Sequence, residues 1–306
     1  MRKLKLLGII LSGVILLTGC GGEKAPSNIK EEKLTVITSF YAMKALTEEI
    51  GGDKVQVESV IGADTEPHDF EPRAKDLKAI EEADLFIYNG AGMEEWVEEV
   101  KGIISSEAVI MVEASKDVEL LKVEGDHEGE EIHHIHGDVD PHTWLGLTAA
   151  KVEGNNIKEA LVQKDPENSA YYEESYKSFQ EKIDNILSEY VVKFKELENH
   201  SFITGHGTFG YLCKDLGLQQ ESIEGVFAEG EPSPKELEAL ITYCKENNIK
   251  TIFVERLVSP ALSQTLAREV GAETKEIYTL HGEDGGRTFT EVMEYNVKTI
   301  YESLSK

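Results

Sequence analysis

Across residues 165–199 the chain runs without a glycine, with apolar residues at Tyr172, Tyr176, Phe179, Ile183, Ile186, Leu187, Tyr190 and Phe194. Those spacings put the apolar side chains on one face of a single amphipathic helix. Asp165 is a fitting N-cap, and Pro166 falls where a first helical turn tolerates it. With a rise of about 1.5 Å per residue, such a helix is roughly 45 to 50 Å long, as long as a lobe is wide. It reads as a rigid connector, and whatever flanks it must be organised on its two sides.

Both flanks carry the same alternation. Before the connector come strand 34–38, helix 41–50, strand 55–61, helix 73–83, strand 84–88, helix 93–105 and strand 108–112. After it come strand 201–204, helix 207–216, strand 220–223, helix 234–247, strand 251–254, helix 260–270, strand 274–280 and helix 289–304. Strands alternating with helices argue parallel sheets covered by helices. The fold class is therefore α/β: two lobes, 34–164 and 200–306, each with a mainly parallel sheet flanked by helices, joined by the long helix 165–199. Ligands in such sheets settle at the carboxyl ends of strands, so the residues just past each strand carry the interest.

The first residues set the compartment. Arg2, Lys3 and Lys5 precede an apolar stretch, 6–17, that is too short to span a bilayer as a permanent helix, which reads as a signal peptide over 1–19. Leu17-Thr18-Gly19-Cys20 resembles the lipobox of bacterial lipoproteins, with Cys20 receiving the lipid. The polar run 20–33 suits a flexible tether. Acyl chains contribute about 0.8 kcal/mol per buried methylene, enough to hold an extracytoplasmic domain at the cell membrane. The formal charge of −27 becomes about −30 once three cationic side chains leave with the signal, which excludes nucleic acid and anionic lipid surfaces as partners. The remaining cysteines, Cys213 and Cys244, form either a disulfide or two buried thiols; no CxxC spacing offers a cysteine metal site.

The histidines carry the chemistry. His68 lies in a loop after a strand, His142 in a loop entering a helix, His206 directly after strand 201–204, and His281 directly after strand 274–280. Four neutral imidazoles, two from each lobe, suffice for a closed tetrahedral zinc site. Any one of them alone would more often be a hydrogen-bonded structural histidine; the repeated placement turns those odds for the set. Between them the insert 124–140 is rich in acid and histidine, with His127, His133, His134 and His136, and is too polar to pack. Such a tract binds metal weakly, as an accessory collector.

Glu66-Pro67-His68-Asp69-Phe70-Glu71-Pro72, Asp140-Pro141-His142-Thr143-Trp144-Leu145, His206-Gly207-Thr208-Phe209-Gly210-Tyr211 and Glu231-Pro232-Ser233-Pro234 occur in that order. With these motifs the whole mature chain resembles the zinc- and manganese-binding lipoproteins that serve metal-specific ABC importers. The resemblance implies a metal held between two lobes, with His68, His142 and His206 at the first three ligand positions. It also implies delivery to a membrane permease, by a chain expected to act as a monomer. Relatives usually offer Asp or Glu at the fourth position. Here His281 stands there, with Glu283, Asp284 or water as open alternatives. Ser233 reads as a helix N-cap, and Trp144 and Phe70 as packing around the site.

Imidazole suits zinc and carboxylate suits manganese, so His206, where manganese-binding relatives commonly carry Glu, favours Zn2+ over Mn2+. Two other functions compete with metal import. An enzyme is disfavoured because no HExxH helix occurs and a full protein ligand set leaves no place for substrate. A surface adhesin stays as a secondary reading, although no repeat or adhesion module is present.

Overall fold

The computed structural model describes residues 33–63, 65–104, 109–123, 139–227, 232–256, 260–283 and 285–306. The signal peptide, the tether with Cys20, the insert histidines His127, His133, His134 and His136, and also Glu231 and Asp284 lie outside the described residues.

Strands β1 (Leu34–Thr38), β2 (Val55–Ser59), β3 (Leu85–Tyr88) and β4 (Ile110–Glu113) make one sheet in the order β2-β1-β3-β4, parallel throughout. Helices α1 (Tyr41–Gly51), α2 (Ala74–Glu81) and α3 (Val97–Ile103) supply the crossovers that parallel neighbours require. Helices cover both faces, so β3, Leu-Phe-Ile-Tyr, is buried at every position rather than at alternate ones.

After α4 (Leu147–Lys164) and α5 (Ser169–Lys195) the pattern repeats. Strands β5 (Ser201–His206), β6 (Gln219–Glu224), β7 (Thr251–Val254) and β8 (Glu273–Glu276) form a second parallel sheet, β6-β5-β7-β8. Its helices are α6 (Gly210–Leu216), α7 (Pro234–Glu246), α8 (Pro260–Val270) and α9 (Phe289–Leu304). Ser233 caps α7 as expected: its hydroxyl accepts from Glu236 N at 3.3 Å, and the Glu236 carboxylate accepts from Ser233 N at 2.6 Å.

The long helix is shorter and more embedded than a bare connector. It starts at Ser169, because Pro166–Asn168 form a 3₁₀ turn and the Asp165 carboxylate is engaged by Asn168 Nδ2 at 2.7 Å and Tyr172 OH at 2.8 Å. Its 27 residues span about 40 Å. Tyr172, Phe179, Ile183, Ile186, Tyr190 and Phe194 form its buried stripe, with Tyr176 and Leu187 half-buried beside it. That stripe packs against α1, α4, α6 and α9. Gly154 lets α4 approach: a Cβ there would stand 3.0 Å from Phe179 and 3.2 Å from Ile50.

As a result one apolar cluster joins both sheets. Val36, Leu85 and Ile87 on the inner face of the first sheet and Phe202 and Phe253 on that of the second belong to the same core as the α5 stripe. Alternate residues, Ile37 and Phe86 in one sheet and Ile203 and Ile252 in the other, face two separate outer clusters. Cys213 belongs to the shared cluster and Cys244 to the outer cluster of the second sheet, so the sheet stands between them. Both are free buried thiols, which removes the disulfide alternative. Residues 33–306 form one compact unit. No helix among the described residues is long and apolar enough to cross a membrane.

Candidate metal centre

His68 sits in the 3₁₀ turn Pro67–Asp69 that follows β2, where Pro67 presets the first turn residue. His142 directly precedes the 3₁₀ turn Thr143–Leu145 that leads into α4, so a helix entrance rather than a strand end delivers it. His206 is the last residue of β5, which runs two residues further than its sequence suggested. β8 ends at Glu276, and the chain then turns through Leu280 at φ +58° before His281, so this histidine is offered by a kinked loop and not by the strand itself.

These four rings meet. His142 and His206 are 5.0 Å apart between centroids, His68 lies 5.3 Å from His142 and 5.7 Å from His206, and His281 stands 5.9 to 6.4 Å from the other three. Ligand atoms of His68, His142 and His206 all fall within 4.8 Å of one another. His142, His206 and His281 are 0, 1 and 2% exposed, while His68 is half-buried and forms the accessible side. Nε2 of His68 and Nε2 of His142 approach to 3.3 Å. Two nitrogens bound to one tetrahedral zinc at about 2.0–2.1 Å stand roughly that far apart.

Hydrogen bonds select which nitrogen each ring presents. His142 Nδ1 meets Asp140 Oδ1 at 2.8 Å, which leaves Nε2 free to face the centre. The same carboxylate oxygen takes the His142 backbone N–H at 2.9 Å. His206 does the reverse: Nε2 donates to Val226 O at 2.9 Å, so Nδ1 faces inward. The β5 end is held by Glu255, whose carboxylate accepts from Gly205 N at 2.9 Å and His206 N at 3.2 Å. His281 Nε2 is buried with no hydrogen-bond partner among the described residues. An orphaned buried nitrogen beside three converging imidazoles fits a cation that supplies the missing contact.

Burial dominates the electrostatics. It pushes the imidazoles of His142 and His281 well below the ordinary histidine range and lowers that of His206. Neutral imidazole is the form that binds metal. Burial also lifts the carboxyl groups of Asp140 and Glu66 to about 7 and that of Glu255 to about 8. Trp144, fully buried, forms the floor: its ring lies 5.2 Å from that of His142 and 5.5 Å from that of His281, and its Nε1 donates to Thr279 O at 2.9 Å. Phe70 packs on Trp96 at 5.7 Å, behind the His68 turn.

The Glu283 side chain is exposed and stands outside the cluster, while its backbone carbonyl accepts from Arg256. Asp140 and Glu255 carry no individual mark as site residues in the sequence, whereas Glu66, with Asp69 and Glu71, stands beside His68 as an acidic group that fits a supporting or surface role better than that of a base. Asp140 and Glu66 each stand two residues before a candidate histidine, and Glu255 directly follows β7, a placement that could have marked it.

The family described as zinc-uptake complex component A, periplasmic (ZnuA), matches residues 36–303. Over 313 residues the chain is 37% identical to the high-affinity zinc uptake system protein ZnuA of Bacillus subtilis (strain 168), covering 99% of this chain and 98% of that one. The structure of Lmb of Streptococcus agalactiae, described as a laminin-binding protein with adhesin and metal-transporting activity, matches with a TM-score of 0.80 and 34% identity, over 89% of this chain and 100% of that one. A Zn(II)-bound mutant variant of AdcAII from Streptococcus pneumoniae matches with a TM-score of 0.79 and 31% identity, over 89% of this chain and 98% of that one.

Proposed function

We propose, from the premise that this chain belongs to the ZnuA family of periplasmic zinc-uptake components, that it is the extracytoplasmic zinc-capturing component of an ABC importer. It takes one Zn2+ between the lobes 34–164 and 200–306, on His68, His142, His206 and His281, and delivers it to a membrane permease. The observation that carries this reading is the convergence of His68, His142 and His206 within 4.8 Å beside the unpartnered Nε2 of His281. The donor set is imidazole, and the third position is His206 rather than a carboxylate, which favours zinc over manganese. Lipid on Cys20 anchors the chain, the insert histidines His127, His133, His134 and His136 collect metal around the site, and the chain works as a monomer.

Capture rather than catalysis follows from the donor count. Four protein nitrogens fill a tetrahedral zinc and leave no open position for an activated water. Asp140 and Val226 O orient two of the rings in advance, and the buried surroundings keep the imidazoles neutral and ready to bind. Release needs only a small separation of the histidines, because a zinc–nitrogen bond of about 2 Å is lost on slight stretching. Zinc titration in competition with a chelator tests the reading. One tight zinc per chain is expected, and His142→Ala should weaken it by orders of magnitude. Equal affinity of wild type and His142→Ala would remove the site.

Adhesion is the second reading, supported by the likeness to the laminin-binding protein of Streptococcus agalactiae. Binding of the purified chain to immobilised laminin tests it: saturable binding supports adhesion, and its absence restricts the chain to transport.

A further inference from the structure

We infer that Glu66 is a positioning residue for His281, acting across the two lobes; the inference rests on the four-histidine zinc site proposed above. His142 and His206 each have an outer partner that fixes the ring, Asp140 for one and the Val226 carbonyl for the other. Partners of this kind select the tautomer and hold the donor nitrogen on the metal. Nδ1 of His281 faces Glu66 Oε2 at 3.8 Å, just beyond hydrogen-bond length. Glu66 Oε1 is buried without a hydrogen-bond partner among the described residues, as is His281 Nε2 on the far side of the ring. A shift of about 1 Å brings Glu66 onto Nδ1–H and leaves Nε2 directed at the metal.

This pair differs from the other two because its members come from opposite lobes. Asp140 and His142 share one segment, and His206 at the end of β5 and Val226 just past β6 both belong to the second lobe. Glu66 lies between β2 and the His68 turn, whereas His281 follows β8. The two loops touch beside the pair: a Cβ on Gly282 would come within 2.2 Å of Ala63 O, so this close approach needs glycine. The fourth imidazole is therefore aimed only while the loop segments that carry Ala63 and Glu66 stay with those that carry His281 and Gly282. Parting them removes the Glu66 contact from His281 and reduces a four-imidazole site to three, a step of release that needs little motion. It also accounts for a histidine at the fourth position, since a ring needs an outer partner to fix its tautomer and a carboxylate ligand has no tautomer to fix.

The test compares Glu66→Ala, Glu66→Gln, Gly282→Ala and His281→Ala, singly and with Glu66→Ala added to His281→Ala, by zinc affinity and by X-ray absorption of the zinc-loaded chains. Glu66→Ala should weaken zinc by about ten- to a hundredfold and lower the imidazole count from four to three. Glu66→Gln, whose amide oxygen still accepts from Nδ1–H, should stay near wild type. Gly282→Ala, which forces the loops apart with Glu66 intact, should lose the same imidazole and so serves if Glu66→Ala folds poorly. Glu66→Ala added to His281→Ala should cost nothing further. Additive losses, four imidazoles retained in Glu66→Ala, or Glu66→Gln as weak as Glu66→Ala, the mark of a carboxylate that ligates zinc itself, would each overturn the inference. Wild type failing to show histidine-bound zinc would instead overturn the site on which it rests.

Discussion

At His142 the proposed ligand role depends on one carboxylate. The ring is fully buried, Asp140 holds Nδ1 at 2.8 Å, and Nε2 is left at 3.3 Å from its counterpart on His68. Asp140→Ala should therefore weaken zinc about ten- to a hundredfold without touching a ligand, and restored affinity in Asp140→Asn would show that an acceptor, not a charge, is needed. Competition with a fluorescent zinc chelator reads both; Asp140→Ala at wild-type affinity would deny the ring its orienting partner. Protons compete with zinc for these rings, and the direction of the shifts sets where. Burial lowers the imidazoles of His142, His206 and His281, so in the metal-free fold they are already deprotonated at pH 7 and zinc displaces few protons. Affinity should stay nearly flat down to about pH 6.5, the ordinary histidine value, and fall steeply only below it. This moves the onset to the acid side of what an exposed four-histidine site would show, and a loss of several protons per zinc already at pH 7.5 would contradict it. The histidines were legible because their motifs stand out in the chain. Two of the carboxylates behind them were not, since in a chain with 58 acidic residues a buried Asp140 or Glu255 looks like one more surface charge.

Among the elements, the strands and the amphipathic α5 followed from period and composition, and α4 did not. Its buried positions include Ala149, Ala150, Gly154 and Ala160, side chains too small to write a strong apolar stripe, and Gly154 argues locally against a helix. The helix exists because α1 and α5 pack where that glycine leaves room. The last strand was drawn too long for a related reason: residues 277–280 are apolar at Ile277 and Leu280, yet they turn inward to the core beyond the ladder. Phe179, fully buried at the crossing of α4 and α5 and 6.0 Å from Phe289 of α9, should cost about 3–5 kcal/mol when cut to Ala, read as a lowered unfolding midpoint. A change below about 1 kcal/mol would mean that the crossing is loosely packed. On α4, Glu153 is buried, neither oxygen has a hydrogen-bond partner within bonding distance among the described residues, and burial lifts its carboxyl to about 8. Its folded value lies above the unfolded one of 4.5, so the native state holds the extra proton and this group's contribution to stability falls as pH rises from about 5 to 8. Glu153→Gln stays neutral throughout, so melting curves at both ends should show the variant gaining on wild type by at least about 1 kcal/mol at pH 8 relative to pH 5. A constant difference across that range would mean that Glu153 is not buried in its neutral form.

At the scale of the whole molecule the two sheets share one apolar core, threaded by α5, and the lobes are tied again by the buried Glu49 carboxylate of α1, which accepts from Thr290 N at 2.9 Å and Thr290 Oγ1 at 2.6 Å. Lobes joined this way cannot swing widely without exposing that core, so the proposed entry and release of metal are expected at the loops that carry His68 and His281. The doubled α/β pattern was visible in sequence because each half repeats strand and helix in the same order. The shared core was not, because periodicity reports which face of a helix is apolar and not which lobe it meets. Deleting 124–138 should leave one tight zinc per chain and remove only weaker ones, checked by calorimetric titration; loss of the tight site would assign an insert histidine to it. A crystal structure of the zinc-loaded chain, with anomalous data at the zinc edge, shows whether one zinc sits between the lobes on these rings. One dominant peak is expected at about 2.0–2.1 Å from Nε2 of His68, Nε2 of His142 and Nδ1 of His206, with His281 Nε2 as the fourth donor. A dominant peak away from His142 and His206, or a zinc bound through the opposite ring nitrogens, would contradict it.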